Sequence, residues 1–310
     1  MRTVPFILGP TGIGKTEISL QLAEKLPVEI ISADSRQLYR FLDIGTAKPS
    51  REILKKIKHH FIDHLSPTEY YSAGMFGREG RKIIDQIFEA DKIPLIVGGS
   101  GFYIQALIDG IWEVEISDQG MREKLERRLE DLGIEALHEE LESVDPDLAK
   151  TIKVQDKQRI IRGLEVFYTA GQPLSQLQKL KPEPAKFEPI MIGLNANRQL
   201  LYDRINERVD EMIAEGLIEE VLDLKKKGLS EDYNALNTVG YKEVFDHLNG
   251  KIDIDTMIEK IKMNSRRYAK RQLTWFRKDN RILWFNIDDF ERKDDLINQI
   301  LAIISNNTIS

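Results

Sequence analysis

The chain contains no cysteine, so disulfide staples and thiolate metal sites are excluded. No apolar run approaches the roughly 20 residues that cross a bilayer, so no membrane span or membrane partner is expected. A strand pattern begins at Val4, which leaves no room for a signal peptide and sets the expectation of a cytoplasmic protein. Bulk positive charge is also missing. A net charge of −6 argues against blanket attraction to nucleic acid and leaves only a local basic surface for that purpose. Histidine is scarce, and His59, His60 and His64 beside Asp63 form one cluster that suggests a metal. Adjacent histidines in a strand-like context point to opposite faces and cannot readily share one ion, so these three read as structural or hydrogen-bonding residues. Repeats and low-complexity segments are absent. What remains is a chain of 310 residues, 41% hydrophobic and 31% charged, large enough for one domain or two linked units.

Residues Gly9-Pro10-Thr11-Gly12-Ile13-Gly14-Lys15-Thr16 form a complete G-x-x-x-x-G-K-[ST] loop. The apolar run Val4–Leu8 precedes it and a helix-like pattern, Glu17–Ala23, follows. Strand, glycine loop and helix together specify a polyphosphate cradle. Loop amides point inward and the helix start adds positive potential. Lys15 supplies a mobile charge, and Thr16 offers a hydroxyl to Mg2+.

Strands are expected at Val4–Leu8, Val28–Ser32 and Ile93–Val97, with a helix at Arg78–Asp91. This alternation implies an α/β fold of the P-loop type, a parallel sheet flanked by helices, whose ligand loops gather at the C-terminal strand ends. From about Glu115 to Lys181 the sequence becomes helical and charged. Helices are expected at Met121–Leu132, stopping at Gly133, and at Gln155–Ala170, stopping at Gly171; Lys181-Pro-Glu-Pro reads as a linker back. The expected organisation is an α/β core of residues 1–114 and 185–310, with an inserted all-helical lobe at 115–184. In the second part of the core, a strand is expected at Pro189–Leu194. A long helix carrying Ile205, Val209, Met212 and Ile213 on one face should follow and end near Gly228. A helix from Ile254 to Arg277, a strand at Arg281–Ile287 and a closing helix at Ile297–Ile304 complete the chain.

Three groups could carry chemistry. Asp34 ends the second strand and is followed by Ser35-Arg36-Gln37. It fits a helix N-cap, a metal ligand through water, or a general base. Ser100, flanked by Gly98, Gly99 and Gly101, fits a tight turn or a hydroxyl aimed at a leaving oxygen. Lys262–Arg281 carries eight basic residues against Asp279, with Tyr268, Trp275 and Phe276 interleaved. Such a segment fits either a solvated basic helix face or a surface that pairs with phosphates and stacks on unpaired bases.

These segments closely resemble tRNA dimethylallyltransferases, also called tRNA isopentenyltransferases, of the bacterial type. The resemblance is carried by the loop at 9–16, Ile31-Ser-Ala-Asp-Ser-Arg-Gln-Leu-Tyr-Arg, Asp43-Ile-Gly-Thr-Ala-Lys-Pro and His59-His-Phe-Ile-Asp-His. Pro94-Leu-Ile-Val-Gly-Gly-Ser-Gly, Asp156-Lys-Gln-Arg-Ile-Ile-Arg, Val239-Gly-Tyr-Lys-Glu and Tyr268-Ala-Lys-Arg-Gln-Leu-Thr-Trp-Phe-Arg extend it in family order. The family's chemistry implies transfer of the five-carbon unit of dimethylallyl diphosphate to N6 of the adenosine 3′-adjacent to the anticodon. The tRNAs would be those reading codons that begin with U, with Mg2+ as cofactor and a monomer as the working form.

Carried over by motif, Gly9, Pro10, Thr11, Gly12, Ile13, Gly14, Lys15 and Thr16 hold diphosphate, with Thr16 near Mg2+. Asp34 accepts the N6 proton, Ser100 and Lys15 complete the catalytic set, and Ser35, Arg36 and Gln37 hold the flipped nucleotide. Further tRNA contacts are implied at Arg122, at Gln158, Arg159, Ile160, Ile161 and Arg162, at Val239, Gly240, Tyr241 and Lys242, and at Lys270, Arg271, Gln272, Trp275 and Arg277. The sequence departs from the family at Ser100, where threonine is usual, and at Gly12-Ile13, where alanine and a small polar residue are common. A P-loop small-molecule kinase using ATP would also place an acid at Asp34, and an AMP or ADP isopentenyltransferase would share the loop. Neither accounts for the basic-aromatic segment or the arginine-bearing insertion.

Overall fold

The computed structural model describes residues 2–111, 119–180 and 182–308. In chain order the elements are β1 (Thr3–Leu8), α1 (Lys15–Lys25), β2 (Val28–Ala33), α2 (Arg51–Lys56), β3 (His59–His60), α3 (Ala73–Glu89), β4 (Ile93–Gly98) and α4 (Gly101–Ile108). Four helices follow: α5 (Gln119–Val144), α6 (Pro146–Ala149), α7 (Lys157–Ala170) and α8 (Leu174–Leu177). The chain then forms β5 (Glu188–Asn195), α9 (Arg198–Ala214), α10 (Leu217–Lys226), α11 (Tyr241–Leu248), α12 (Ile254–Phe276), β6 (Leu283–Asn286) and α13 (Lys293–Thr308).

Two compact units emerge, one of residues Met1–Ile108 and Ala185–Ser310, the other Asp109–Pro184. Glu115 and Lys181, where the insertion and its return linker are expected to begin, lie outside the described residues.

The first unit holds a six-stranded sheet in the order β3-β2-β4-β1-β5-β6, and every pairing is parallel. The α/β class read from the sequence is therefore the observed one. Gly98 pairs with Leu8 on one side and Ala33 on the other. Gly9, Asp34 and Gly99 consequently leave three neighbouring strands at one level, and their loops meet. Beneath them Ile7, Ile30, Leu95, Ile192 and Leu194 form a core with Ile18 and Leu22 of α1 and Leu296 and Ile300 of α13. Runs of this kind, apolar on both faces, are what a helix-covered parallel sheet requires.

Some elements differ from the sequence expectation. α3 starts at Ala73, five residues before Arg78, because the Ser72 hydroxyl caps the Met75 amide. Gly74, Gly77 and Gly80 in this first part blur its apolar period. The helix expected to run unbroken to Gly228 is two helices. The chain turns at Gly216, whose φ of +101° is left-handed, before α10 begins. α13 extends beyond Ile297–Ile304 at both ends.

The regular elements among the second unit's described residues are all helices. Leu125, Leu137, Leu141, Leu148, Ile160, Ile161 and Leu164 form its core. α5 breaks at Gly133 as expected but resumes to Val144. α7 starts under an Asp156 cap and ends at left-handed Gly171.

Candidate active site

The loop after β1 closes on the N-terminus of α1. Gly12 has φ of +79°, and a Cβ there would meet Ile205 Cγ1 at 2.8 Å, so the glycine is required at this position. Ile13 is buried, so it anchors the loop with its side chain and can meet an anion only through its backbone. Lys15 Nζ donates to Pro10 O at 2.8 Å. Burial, and less strongly the Arg208 charge, lower the Lys15 pKa to about 7 against the opposing pull of Asp34.

Two arginines one helical turn apart on α9 address the same loop. Arg208 Nη1 donates to Thr11 Oγ1 at 3.3 Å, and Arg204 Nη1 donates to Ile13 O at 3.5 Å. Burial lowers the Arg208 pKa, while Asp34 raises it. The sequence reading missed both. Their signal is the i, i+4 spacing on either side of core residue Ile205.

Thr11, Lys15, Thr16, Asp34, Arg208 and Tyr268 line one cavity of about 230 Å3. The two carboxylate oxygens of Asp34 differ in their surroundings. Oδ1 accepts from the Arg36 amide at 2.8 Å and the Gln37 amide at 3.3 Å, which is the cap-like role. No hydrogen bond is recorded to Oδ2 among the described residues, so it is available to a ligand. Ser100 Oγ accepts from the Ser35 amide at 3.1 Å, and its hydroxyl also pairs with the Tyr268 side chain. Tyr268 stands beside them, its pKa pushed up to about 12 by burial and then by Asp34.

Several of the expected contact residues are committed to the protein's own loops, although Gln37 and Gln272 also line the cavity. Gln37 turns its amide inward: Nε2 donates to Thr46 O at 3.1 Å and Ala47 O at 3.2 Å, while Oε1 accepts from Ser32 Oγ at 3.0 Å. Tyr241 is 0% exposed, with its hydroxyl 2.5 Å from Glu220 Oε1, so its side chain cannot reach tRNA. Val239 and Gly240 do line the cavity, and Lys242 is exposed. Gln272 is only 7% exposed and joins two loops of the site instead of facing solvent.

The outer face of α12 presents Lys270, Arg271 and Trp275 to solvent, and the exposed Arg277 caps its end. Trp275 meets Phe102 edge-on at 6.2 Å. Both rings are largely exposed, at 43% and 53%, and Phe102 was not foreseen.

In the helical unit Ile160 and Ile161 are core residues, so the implied tRNA contacts at these two positions are corrected by their burial. Of that segment Gln158 and Arg159 are exposed and Arg162 is half-buried. Arg162 Nη1 pairs with Glu165 at 3.0 Å and Arg159 Nε with Asp156 at 3.4 Å, while Arg122 Nε lies 3.4 Å from Glu126.

The histidines hydrogen-bond in different directions. His59 Nδ1 lies 2.8 Å from Ile57 O, and His60 Nε2 lies 2.8 Å from the buried Glu29 carboxylate.

For a metal, the fitting donors are the Thr16 hydroxyl, which makes no hydrogen bond among the described residues, and Asp34 Oδ2. Both are oxygens at the phosphate loop. No group of three or more histidine, cysteine or acidic residues among the described ones could cage an ion. Such a sparse oxygen set suits Mg2+, which takes most of its ligands from water and substrate phosphates.

Fold and cavity together define an α/β protein of the P-loop type whose glycine loop shares one cavity with a carboxylate. The profile of the IPP transferase family matches residues 37–279. A tRNA dimethylallyltransferase of Geobacillus thermodenitrificans is 45% identical over 300 residues, covering 96% of this chain and 95% of its own. That of Bacillus anthracis is 42% identical, covering 98% of both. Among solved structures, the tRNA isopentenylpyrophosphate transferase of Bacillus halodurans superposes with a TM-score of 0.74 at 38% identity, covering 99% of this chain and 97% of its own. A eukaryotic dimethylallyltransferase acting on tRNA superposes at 0.83 with 28% identity, over 100% of this chain and 80% of its own. The chain belongs to the IPP transferase family.

Proposed function

We propose that this enzyme transfers the dimethylallyl group of dimethylallyl diphosphate to N6 of the adenosine 3′-adjacent to the anticodon, in tRNAs reading codons that begin with U. The observation that carries the reading is the shared cavity: a phosphate loop with Lys15 and Arg208 on one side, and the available Oδ2 of Asp34 on the other. The names of the relatives agree with it.

In the reaction the allylic C–O bond breaks and its electron pair leaves with the diphosphate. N6 forms the new C–N bond, and its proton passes to Asp34. An exocyclic adenine amine is a poor nucleophile because its lone pair is delocalised into the ring. A carboxylate at hydrogen-bond distance raises its electron density as the bond breaks. Lys15, Arg208 and the amides of Gly12–Thr16 offset the charge that develops on the diphosphate. The Thr16 hydroxyl, with Asp34 through water, would hold Mg2+, which would supply further positive charge beside the leaving group. Ser100 donates to the leaving oxygen. Arg36 and Ser35 hold the flipped base, with Gln37 shaping their loop.

Lys270, Arg271, Trp275 and Arg277 bind the anticodon arm, and the helical unit contributes Arg122, Gln158, Arg159 and Arg162. The enzyme works as a cytoplasmic monomer. No helix among the described residues is long and apolar enough to cross a membrane.

The test is incubation of unmodified tRNA with labelled dimethylallyl diphosphate, beside a parallel reaction with ATP. Label in tRNA without ATP is the expected result. ATP consumption with unlabelled tRNA would overturn the reading in favour of a kinase.

A further inference from the structure

Gln272 lies within a basic, aromatic helix, yet its side chain points away from solvent and is 7% exposed. Its amide makes one bond in each direction. Oε1 accepts from the Thr11 amide at 2.9 Å, on the rising limb of the phosphate loop. Nε2 donates to Gly99 O at 2.9 Å, on the loop that follows β4. The two partners belong to different halves of the site. Thr11 precedes the amides that face the diphosphate, whereas Gly99 precedes Ser100, whose hydroxyl receives the Ser35 amide next to Asp34.

A second observation comes from the opposite side of the contact. A Cβ on Gly99 would stand 2.2 Å from Gln272 Nε2 and 3.1 Å from Gly9 O. The approach of this one amide therefore excludes any side chain at residue 99. The Gln272 amide cannot retreat from such a side chain without releasing Thr11 or Gly99, because it is held at both ends.

We infer that Gln272 is a positioning residue: its amide fixes the span between the diphosphate loop and the Gly99–Ser100 loop. The inference rests on the prenyl-transfer reading for its consequence, and it replaces a tRNA contact at this position. In a displacement the reacting atoms must be held close to their contact distance, and a misplacement of about 1 Å costs on the order of 10²-fold in rate. Gln272 sets that distance from the protein side. The bond to Thr11 also holds that amide away from the anion, so the cradle is left to the amides further along the loop. α12 thus presents Arg271 and Trp275 outward while its inner face braces both halves of the site.

The experiment compares wild type, Gln272→Ala, Gly99→Ala and the double variant. Calorimetry gives the affinity for inorganic diphosphate, fluorescence anisotropy gives the affinity for an anticodon stem-loop, and turnover is measured at saturating substrates. Gln272→Ala is expected to weaken diphosphate binding about tenfold and to lower kcat on the order of 10²-fold. Its stem-loop affinity should remain within about twofold of wild type, as follows from a residue that tRNA does not touch. Gly99→Ala should reproduce the pattern, and the double variant should be no worse than Gln272→Ala, because both changes break the same bridge. Weakened stem-loop binding with unchanged diphosphate affinity would overturn the inference and restore a tRNA contact. Independent, multiplying effects of the two substitutions would also overturn it. Failure of wild type to label the stem-loop would overturn the prenyl-transfer reading alone, while the diphosphate affinities still decide the role of Gln272.

Discussion

Arg208 Nη1 donates to Thr11 Oγ1 at 3.3 Å across 197 residues of sequence, binding the helix after β5 to the loop after β1. The guanidinium is half-buried where its charge is costly, with Asp34 in part offsetting that cost. An incoming diphosphate would offset more of it. Arg208→Ala should therefore raise the KM for dimethylallyl diphosphate and lower kcat, with a combined loss in kcat/KM of about 10²–10³-fold. Steady-state kinetics at saturating tRNA checks this. The same substitution should raise the Lys15 pKa, because Arg208 is one of the causes that lower it.

Lys15 gives a pH prediction. Its pKa of about 7 leaves it mostly neutral at pH 8 in the ligand-free protein. A diphosphate beside it favours the charged form and raises the pKa, so binding at pH 8 takes up a proton. Titration calorimetry in buffers of different ionisation enthalpy should detect that uptake. It should disappear in Lys15→Met, and diphosphate affinity in wild type should weaken as pH rises from 7 to 9 more than it does in the variant.

Much of the fold was legible because its signals are local. The apolar runs at β1, β2, β4 and β5 and the glycine loop identify a parallel P-loop sheet without tertiary information. The parts that were not legible depend on contacts distant in sequence. Arg204 and Arg208 look like ordinary surface charges of an amphipathic helix until α9 is placed against the phosphate loop. Gln272 and Tyr241 sit in segments that resemble tRNA-contacting motifs, and only burial separates the inner from the outer face of such a motif. Asp34 was open between cap and catalytic group because the cap uses only Oδ1, and no local signal says what meets the other carboxylate oxygen.

Arg271 is exposed on α12, with its guanidinium 5.7 Å from the Tyr268 ring centre. Arg271→Ala should weaken tRNA binding and reduce the slope of log affinity against log salt by about one unit. Binding titrations over a series of potassium chloride concentrations check this. An unchanged slope would remove Arg271 from the phosphate contacts.

Glu29 is a structural carboxylate remote from these roles. Burial pushes its pKa up, but Lys92, His60 and Lys58 outweigh that and hold it at about 2, against an unperturbed 4.5. A carboxylate lowered in the folded state stabilises fully above its unfolded pKa, and the stabilisation is lost as pH falls from about 4.5 towards 2. The loss is on the order of 3 kcal/mol. Thermal melts of wild type should drop across that window. Glu29→Gln should start lower at pH 7 and lack this component of the drop.

The most direct measurement is single-turnover prenyl transfer by Asp34→Asn. Asparagine keeps an oxygen that can cap the Arg36 and Gln37 amides, so the loop should remain folded. It cannot accept the N6 proton. The account predicts a rate loss of about 10²–10⁴-fold, with anticodon stem-loop and diphosphate affinities close to wild type. Near-normal transfer by Asp34→Asn would contradict it.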